Sequence, residues 1–127
     1  MEVLDLRSTM ITNAEVIAFI KEVDQQRKED PRLKYQSSSE FQDLNTVEFE
    51  VLKYAQKHPM CDPSQIPAFV AALAEKSYQL TKAEKLQLIN QRPVTQVHLY
   101  QIIEECEKRL SDEDQANVMH LVRSMLK

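Results

Sequence analysis

The sequence predicts an all-α protein, on three observations. It contains no glycine, where average usage of about 7% would supply roughly nine, and hairpin turns that need positive φ are disfavoured accordingly. Capping boxes of the T/N-x-x-E kind stand at Thr12–Glu15, Asn45–Glu48 and Thr81–Glu84, where a side-chain oxygen and a carboxylate satisfy backbone N–H groups that a helix start leaves without partners. Behind each box, apolar residues recur at spacings of three and four, the signature of one buried helix face.

In chain order, Glu2-Val3-Leu4-Asp5-Leu6 is a short apolar–polar segment with no hairpin partner after it. It reads either as a frayed terminus or as an edge strand that adds to another protein's sheet. Thr12 then caps a helix, with Ile11 and Val16 as a hydrophobic staple. Val16, Phe19, Ile20 and Val23 form its apolar face. A lone helix of this length is marginal in water, so that face packs either on the rest of this chain or on a partner. Residues 29–43 are polar, with Pro31 and three consecutive serines at 37–39, and read as a flexible linker.

Order resumes at Leu44, where Asn45 caps, Leu44 and Phe49 staple, and Phe49, Val51, Leu52 and Ala55 face inward until Pro59 closes the helix. A helix over about 64–77 follows, with Ile66, Phe69, Val70 and Leu73 inward and Pro67 tolerated in its first turn. Thr81 opens the next, which Pro93 stops by disfavouring the helical conformation at Arg92. Thr95 caps another, stapled by Val94 and Leu99, with Leu99, Ile103, Cys106 and Leu110 on one face. Ser111 caps the last, which turns Val118, Met119, Val122 and Met125 inward. Residues 44–127 thus hold five short helices.

Composition excludes several functions. Without glycine there is no phosphate-cradling loop or dinucleotide turn. No run of about twenty apolar residues and no signal-peptide pattern is present, and an intracellular soluble protein without membrane contact is expected. Two cysteines, Cys61 and Cys106, are too few for a disulfide framework. Cys61 near His58 lacks the second pair a metal site needs. Sixteen basic against 20 acidic side chains give a net charge of −4, which does not favour autonomous nucleic-acid binding. Glu104 and Glu107, three apart on one predicted helix, could be drawn as an acid–base pair, but a solvated charged face explains them more simply. No nucleophile–base–orienter set can be assembled around His58, His98, His120 or Cys106. No catalytic residue, metal or cofactor is expected.

The stretch Leu80-Thr81-Lys82-Ala83-Glu84-Lys85, then Asn90 with Arg92-Pro93, then Ile103-Glu104-Glu105 with Glu107, Arg109 and Leu110, resembles the C-terminal signature of the RNA polymerase stalk subunit family. That family comprises the small stalk subunit of the archaeal polymerase, the fourth subunit of RNA polymerase II and the seventeen-kilodalton stalk subunit of RNA polymerase III. Weaker similarity runs through Leu44-Asn45-Thr46, Leu52-Lys53-Tyr54 and Thr12-Asn13, so it covers most of the chain. The wording from Lys85 to Thr95 looks closest to the RNA polymerase III branch, vertebrate members of which are also described as a receptor component for calcitonin gene-related peptide.

The resemblance implies a non-catalytic nuclear subunit that pairs with a larger OB-fold stalk subunit, joins the polymerase core and docks initiation factors. It implies an N-terminal arm, residues 1–28, made of a short strand and a helix. In that arm Val3, Leu4, Leu6, Val16, Phe19, Ile20 and Val23 would contact the partner. It also implies that residues 44–127 take the fold called HRDC-like. Lys82, Lys85 and Arg92 are candidates for contact with a factor or, weakly, with RNA. The alternatives are the equivalent subunit of another polymerase, a free-standing helical nucleic-acid-binding module, or a helical adaptor unconnected with transcription.

Overall fold

The computed structural model describes residues 4–6, 8–30 and 39–127, with the backbone alone at 39–41. Seven α-helices and one 3-10 turn make up its regular structure, with no strand among the described residues. The all-α expectation stands. The strand expected at the N-terminus on a partner's sheet is not seen in the single chain: Leu4 to Leu6 is bend and turn, and Val3 lies outside the described residues. An edge strand needs a neighbouring strand to complete its ladder, and the described chain supplies none.

Contacts group the chain into two compact units that meet at positions 12/13 and 60/61. The first unit, Asn13–Met60, is a pair of helices, α1 (Asn13–Glu29) and α2 (Ser39–Lys57). α1 starts directly after the buried Thr12 and buries Ala14 and Ile17. α2 starts six residues before the predicted cap at Asn45, inside the expected linker. The residues read as its start are engaged from α1 instead: Arg27 donates to Asn45 Oδ1 at 3.2 Å and pairs with the Glu48 carboxylate. The two residues that imitate a helix start are thus occupied by a cation from the neighbouring helix. Leu44, Glu48, Val51, Leu52 and Ala55 are half-buried, a helical stripe that includes Leu44 as a member. Phe49, expected inward, is 61% exposed.

The second unit comprises Cys61–Lys127, with which the described residues up to Thr12 are grouped. It opens with a 3-10 turn, Pro63–Gln65, capped by Asp62, whose Oδ1 accepts from Ser64 N at 2.8 Å. α3 (Ile66–Glu75) buries Ile66, Phe69 and Leu73, while Val70 sits at the rim, 36% exposed. α4 (Lys82–Gln91) begins with the predicted capping box, both arms made: Glu84 N donates to Thr81 Oγ1 at 3.2 Å and Thr81 N to Glu84 Oε2 at 2.7 Å. It ends at Arg92, in the left-handed region at φ 44°, and the buried Pro93 follows.

The single helix predicted up to Leu110 is two: α5 (Gln96–Ile102) and α6 (Cys106–Arg109). Ile103 is extended and Glu105 left-handed, with φ −101° and 48°. All four predicted inward residues, Leu99, Ile103, Cys106 and Leu110, are nonetheless buried. Thr95 caps α5 as expected, through His98 N at 3.3 Å, but the staple fails because Val94 is 62% exposed. Five predicted helices over 44–127 are therefore six. α7 (Asp112–Met125) is capped by Ser111 and buries Gln115, Val118 and Val122, with Leu126 just beyond. Its three acidic residues at the first turn oppose the positive end of the helix dipole. α3 and α5 both pack on α7, placing Phe69, Leu73, Leu99, Val118 and Val122 in the core.

Candidate partner interface and a buried helix joint

The sequence-derived partner residues fall into three groups. Leu4 and Leu6 are 89% and 88% exposed, and Met10 and Ile11, after three polar positions, are 57% and 49% exposed. Phe19 points to solvent from α1, 63% exposed. Val16, Ile20 and Val23 are half-buried. The buried positions of α1 are Ala14 and Ile17 instead, so the predicted stripe is rotated: Phe19 lies about 200° around the helix from Ile17 at 100° per residue. Sequence reasoning did not single out Ile17, because its neighbours Val16 and Ile20 offered an equally regular pattern.

Further exposed apolar groups sit on α2. Val47 and Tyr54 are 60% and 57% exposed; Tyr54 stacks on His58 with ring centroids 4.3 Å apart, and Lys53 Nζ lies 5.6 Å from the Phe49 ring.

The basic candidates occupy one helix. Lys82 is exposed, Lys85 half-buried three residues on, and Arg92 half-buried at the left-handed cap. Lys82 and Arg92 are separated by about 15 Å of helix axis at 1.5 Å per residue. Glu84, which lies between them in sequence, faces inward.

Glu84 is the charged residue of this unit that sequence placed correctly and understood incompletely. Beyond its box role it is buried, 7% exposed, and meets Arg109 from α6. Arg109 Nη1 donates to Glu84 Oε1 at 2.5 Å and Nη2 to Oε2 at 3.1 Å, a two-pronged pair of the strong kind. Arg109 also donates to the carbonyls of Glu104 and Gln79, both at 2.9 Å. Glu84 Oε1 in turn accepts from Glu104 N at 3.3 Å. At the break between α5 and α6, the N–H and the C=O of Glu104 are therefore both taken up by this one ion pair. Hydrogen bonds from Arg109 hold the Glu84 carboxyl down at about 2, against the opposing effect of burial.

The same break separates Glu104 from Glu107, so the helical pairing drawn for them does not exist, and both are exposed. Cys106 is buried, and burial pushes its thiol up, away from the reactive thiolate. Cys61 is buried as well. Among the described residues no group of three His, Cys, Asp or Glu side chains is placed to hold a metal, and no helix is long and apolar enough to cross a membrane.

A second polar knot was not legible in sequence. Gln115 is 2% exposed; its Nε2 donates to Leu110 O at 3.0 Å and its Oε1 accepts from Gln96 Nε2 at 2.8 Å. It ties the α6–α7 turn to the start of α5. The spacing Gln115, Val118, Val122, Leu126 was the available signal.

Taken together, the geometry is that of a small all-helical protein built on helix caps and a buried ion-pair joint, with apolar side chains left exposed. Comparison with known proteins places it in a family. The RNA polymerase Rpb4 family model matches residues 10–126. The chain is 32% identical over 118 residues, 90% of each chain, to a protein of Schizosaccharomyces pombe named DNA-directed RNA polymerase III subunit rpc9. It is 44% identical over 46 residues to the RNA polymerase III subunit RPC9 of Saccharomyces cerevisiae, a match covering 36% of this chain and 29% of the yeast protein. The chain belongs to the RNA polymerase Rpb4 family.

Proposed function

We propose that the protein is the non-catalytic stalk subunit of DNA-directed RNA polymerase III. The observation that carries this reading is the similarity over 90% of both chains to a protein named as a subunit of that polymerase. In this role it forms a heterodimer with the larger OB-fold stalk subunit, attaches to the polymerase core in the nucleus and docks initiation factors. Residues 1–28 serve as the partner-binding arm, through Val3, Leu4, Leu6, Val16, Phe19, Ile20 and Val23. The helices from 44 onward act as an HRDC-like domain, with Lys82, Lys85 and Arg92 available to a factor or to RNA. Two leucines left 89% and 88% exposed support the arm assignment, since burying each such side chain is worth about 1.5–3 kcal/mol.

The test is affinity purification of the tagged chain from nuclear extract at moderate salt, with mass spectrometry of the co-purifying subunits. Polymerase III subunits in near-stoichiometric amounts are the expected result. Recovery of polymerase II subunits would move the assignment to that enzyme, and recovery of no polymerase subunit would end it.

A further inference from the structure

Between α4 and α5 the surface forms an open groove of about 450 Å³, lined by Gln87, Gln91, His98, Gln101 and Ile102. Its chemistry is uniform: three carboxamides and an imidazole around one aliphatic side chain, with no charged lysine, arginine, aspartate or glutamate. Three other glutamines in this unit engage partners through their side chains, Gln96 with Tyr100 and Gln115, Gln115 with Leu110, and Gln65 with Lys127 N. The side chains of Gln87, Gln91, Gln101 and His98 make no hydrogen bond within the described protein. Each carboxamide therefore presents two donors and an acceptor outward.

We infer that this groove binds an extended, uncharged peptide segment of a partner protein through its main chain. Walls without charge offer nothing to a phosphate backbone, whose binding depends on neutralisation by lysine and arginine. Carboxamides, in contrast, complement both the N–H and the C=O of a peptide bond. The spacing of the carboxamides fits such a chain as well. Gln87 and Gln91 stand one above the other on α4, about 6 Å apart along the axis, close to the roughly 6.6 Å repeat at which an extended chain presents equivalent main-chain groups on one side. Ile102 supplies an apolar floor for one alternate side chain, the division of labour seen when strands are recognised by their backbones. The inference stands on the groove and not on the polymerase assignment.

The experiment is selection of a randomised phage-displayed dodecapeptide library on the purified full-length chain. Amide and side-chain NMR shifts of the chain follow with the selected synthetic peptides. Expected are peptides without net charge that move the Gln87, Gln91 and Gln101 side-chain NH2 signals and the His98 ring signals. Their affinity should change little between 50 and 300 mM salt. The double variant Gln87→Ala/Gln91→Ala should weaken them about tenfold or more, two side-chain hydrogen bonds being lost, while Gln56→Ala on α2 leaves binding unchanged. Both glutamines are exposed, so thermal melting of the double variant should match that of the parent. The inference is overturned if no selected peptide moves these signals, if binding survives the double variant, or if the selected peptides are charged and lost with salt. A twelve-nucleotide oligouridine that shifts the same signals more strongly than any peptide would also overturn it, in favour of base recognition.

Discussion

Arg109 grips the carboxylate of Glu84 across 25 positions of sequence, at 2.5 and 3.1 Å, from a helix that exists only because the chain breaks three residues earlier. The pair fastens the start of α4, the loop at Gln79 and the joint between α5 and α6 at a single point. Buried pairs of this kind lose most when one member is removed and the other is left without compensation.

Replacing Glu84 by glutamine should therefore lower unfolding free energy by about 2 kcal/mol at pH 7, the scale of a hydrogen bond to a charged group, read by urea titration. Acid dependence supplies a second reading. The folded carboxyl titrates at about 2, below its ordinary 4.5. A depressed carboxyl contributes fully above about pH 4.5 and loses that contribution as pH falls through about 2. Parent stability should thus decline across that window, and Glu84→Gln should flatten the decline.

Without glycine, the chain turns its corners on residues that resist it. Ser77, Gln79, Arg92 and Glu105 all adopt left-handed φ, from 44° to 51°, at a cost of roughly 1–2 kcal/mol each for a residue with a Cβ. Gln79→Gly keeps the carbonyl that Arg109 uses and removes the strain. A gain of about 0.5–1 kcal/mol is expected after the greater chain entropy of glycine is counted. Ala71→Gly, on an exposed helical position of α3, should lose about 1 kcal/mol in the same titration.

Gln115→Leu fits the apolar stripe of α7 but strands the buried Leu110 O. A loss of about 1–3 kcal/mol follows from leaving such groups unsatisfied, measured by thermal or urea unfolding. Gln115→Glu should lose more at pH 7 than at pH 4, because a charge is then placed at a 2% exposed position.

Leu4→Ser/Leu6→Ser should leave the isolated chain's stability within about 0.5 kcal/mol, as exposed positions do. The same double variant should weaken binding to the larger stalk subunit at least tenfold by calorimetry, the behaviour of anchor residues in an interface. Equal affinity would remove the N-terminal leucines from the interface.

The sequence showed most clearly what neighbouring residues decide. The Thr81–Glu84 box, the Thr95 cap and the stop at Arg92-Pro93 were all readable, because each is settled within four residues. The inward set Leu99, Ile103, Cys106 and Leu110 was readable too, yet the helix carrying it was not. Its period runs unbroken through a joint whose backbone groups are satisfied by Glu84 and Arg109, partners invisible to a local window. The same applies to α2, where Asn45 and Glu48 look like a helix start and serve instead to receive Arg27. On the surface, Phe19 was legible as an apolar residue and Ile17 was passed over, since the direction of packing is set by the neighbouring helix and not by the pattern alone. The glutamine groove carried no motif, because nothing in sequence distinguishes a glutamine already hydrogen-bonded from one that is not.

The most direct measurement is amide hydrogen exchange of residues 1–28, in the chain alone and mixed with the larger OB-fold stalk subunit of RNA polymerase III. Rapid exchange is expected at Leu4–Ile11 in the chain alone, and protection of at least a hundredfold in the mixture, extending into α1 around Phe19. Exchange unchanged by the partner, or already protected in the isolated chain, would contradict the heterodimer on which the stalk assignment depends.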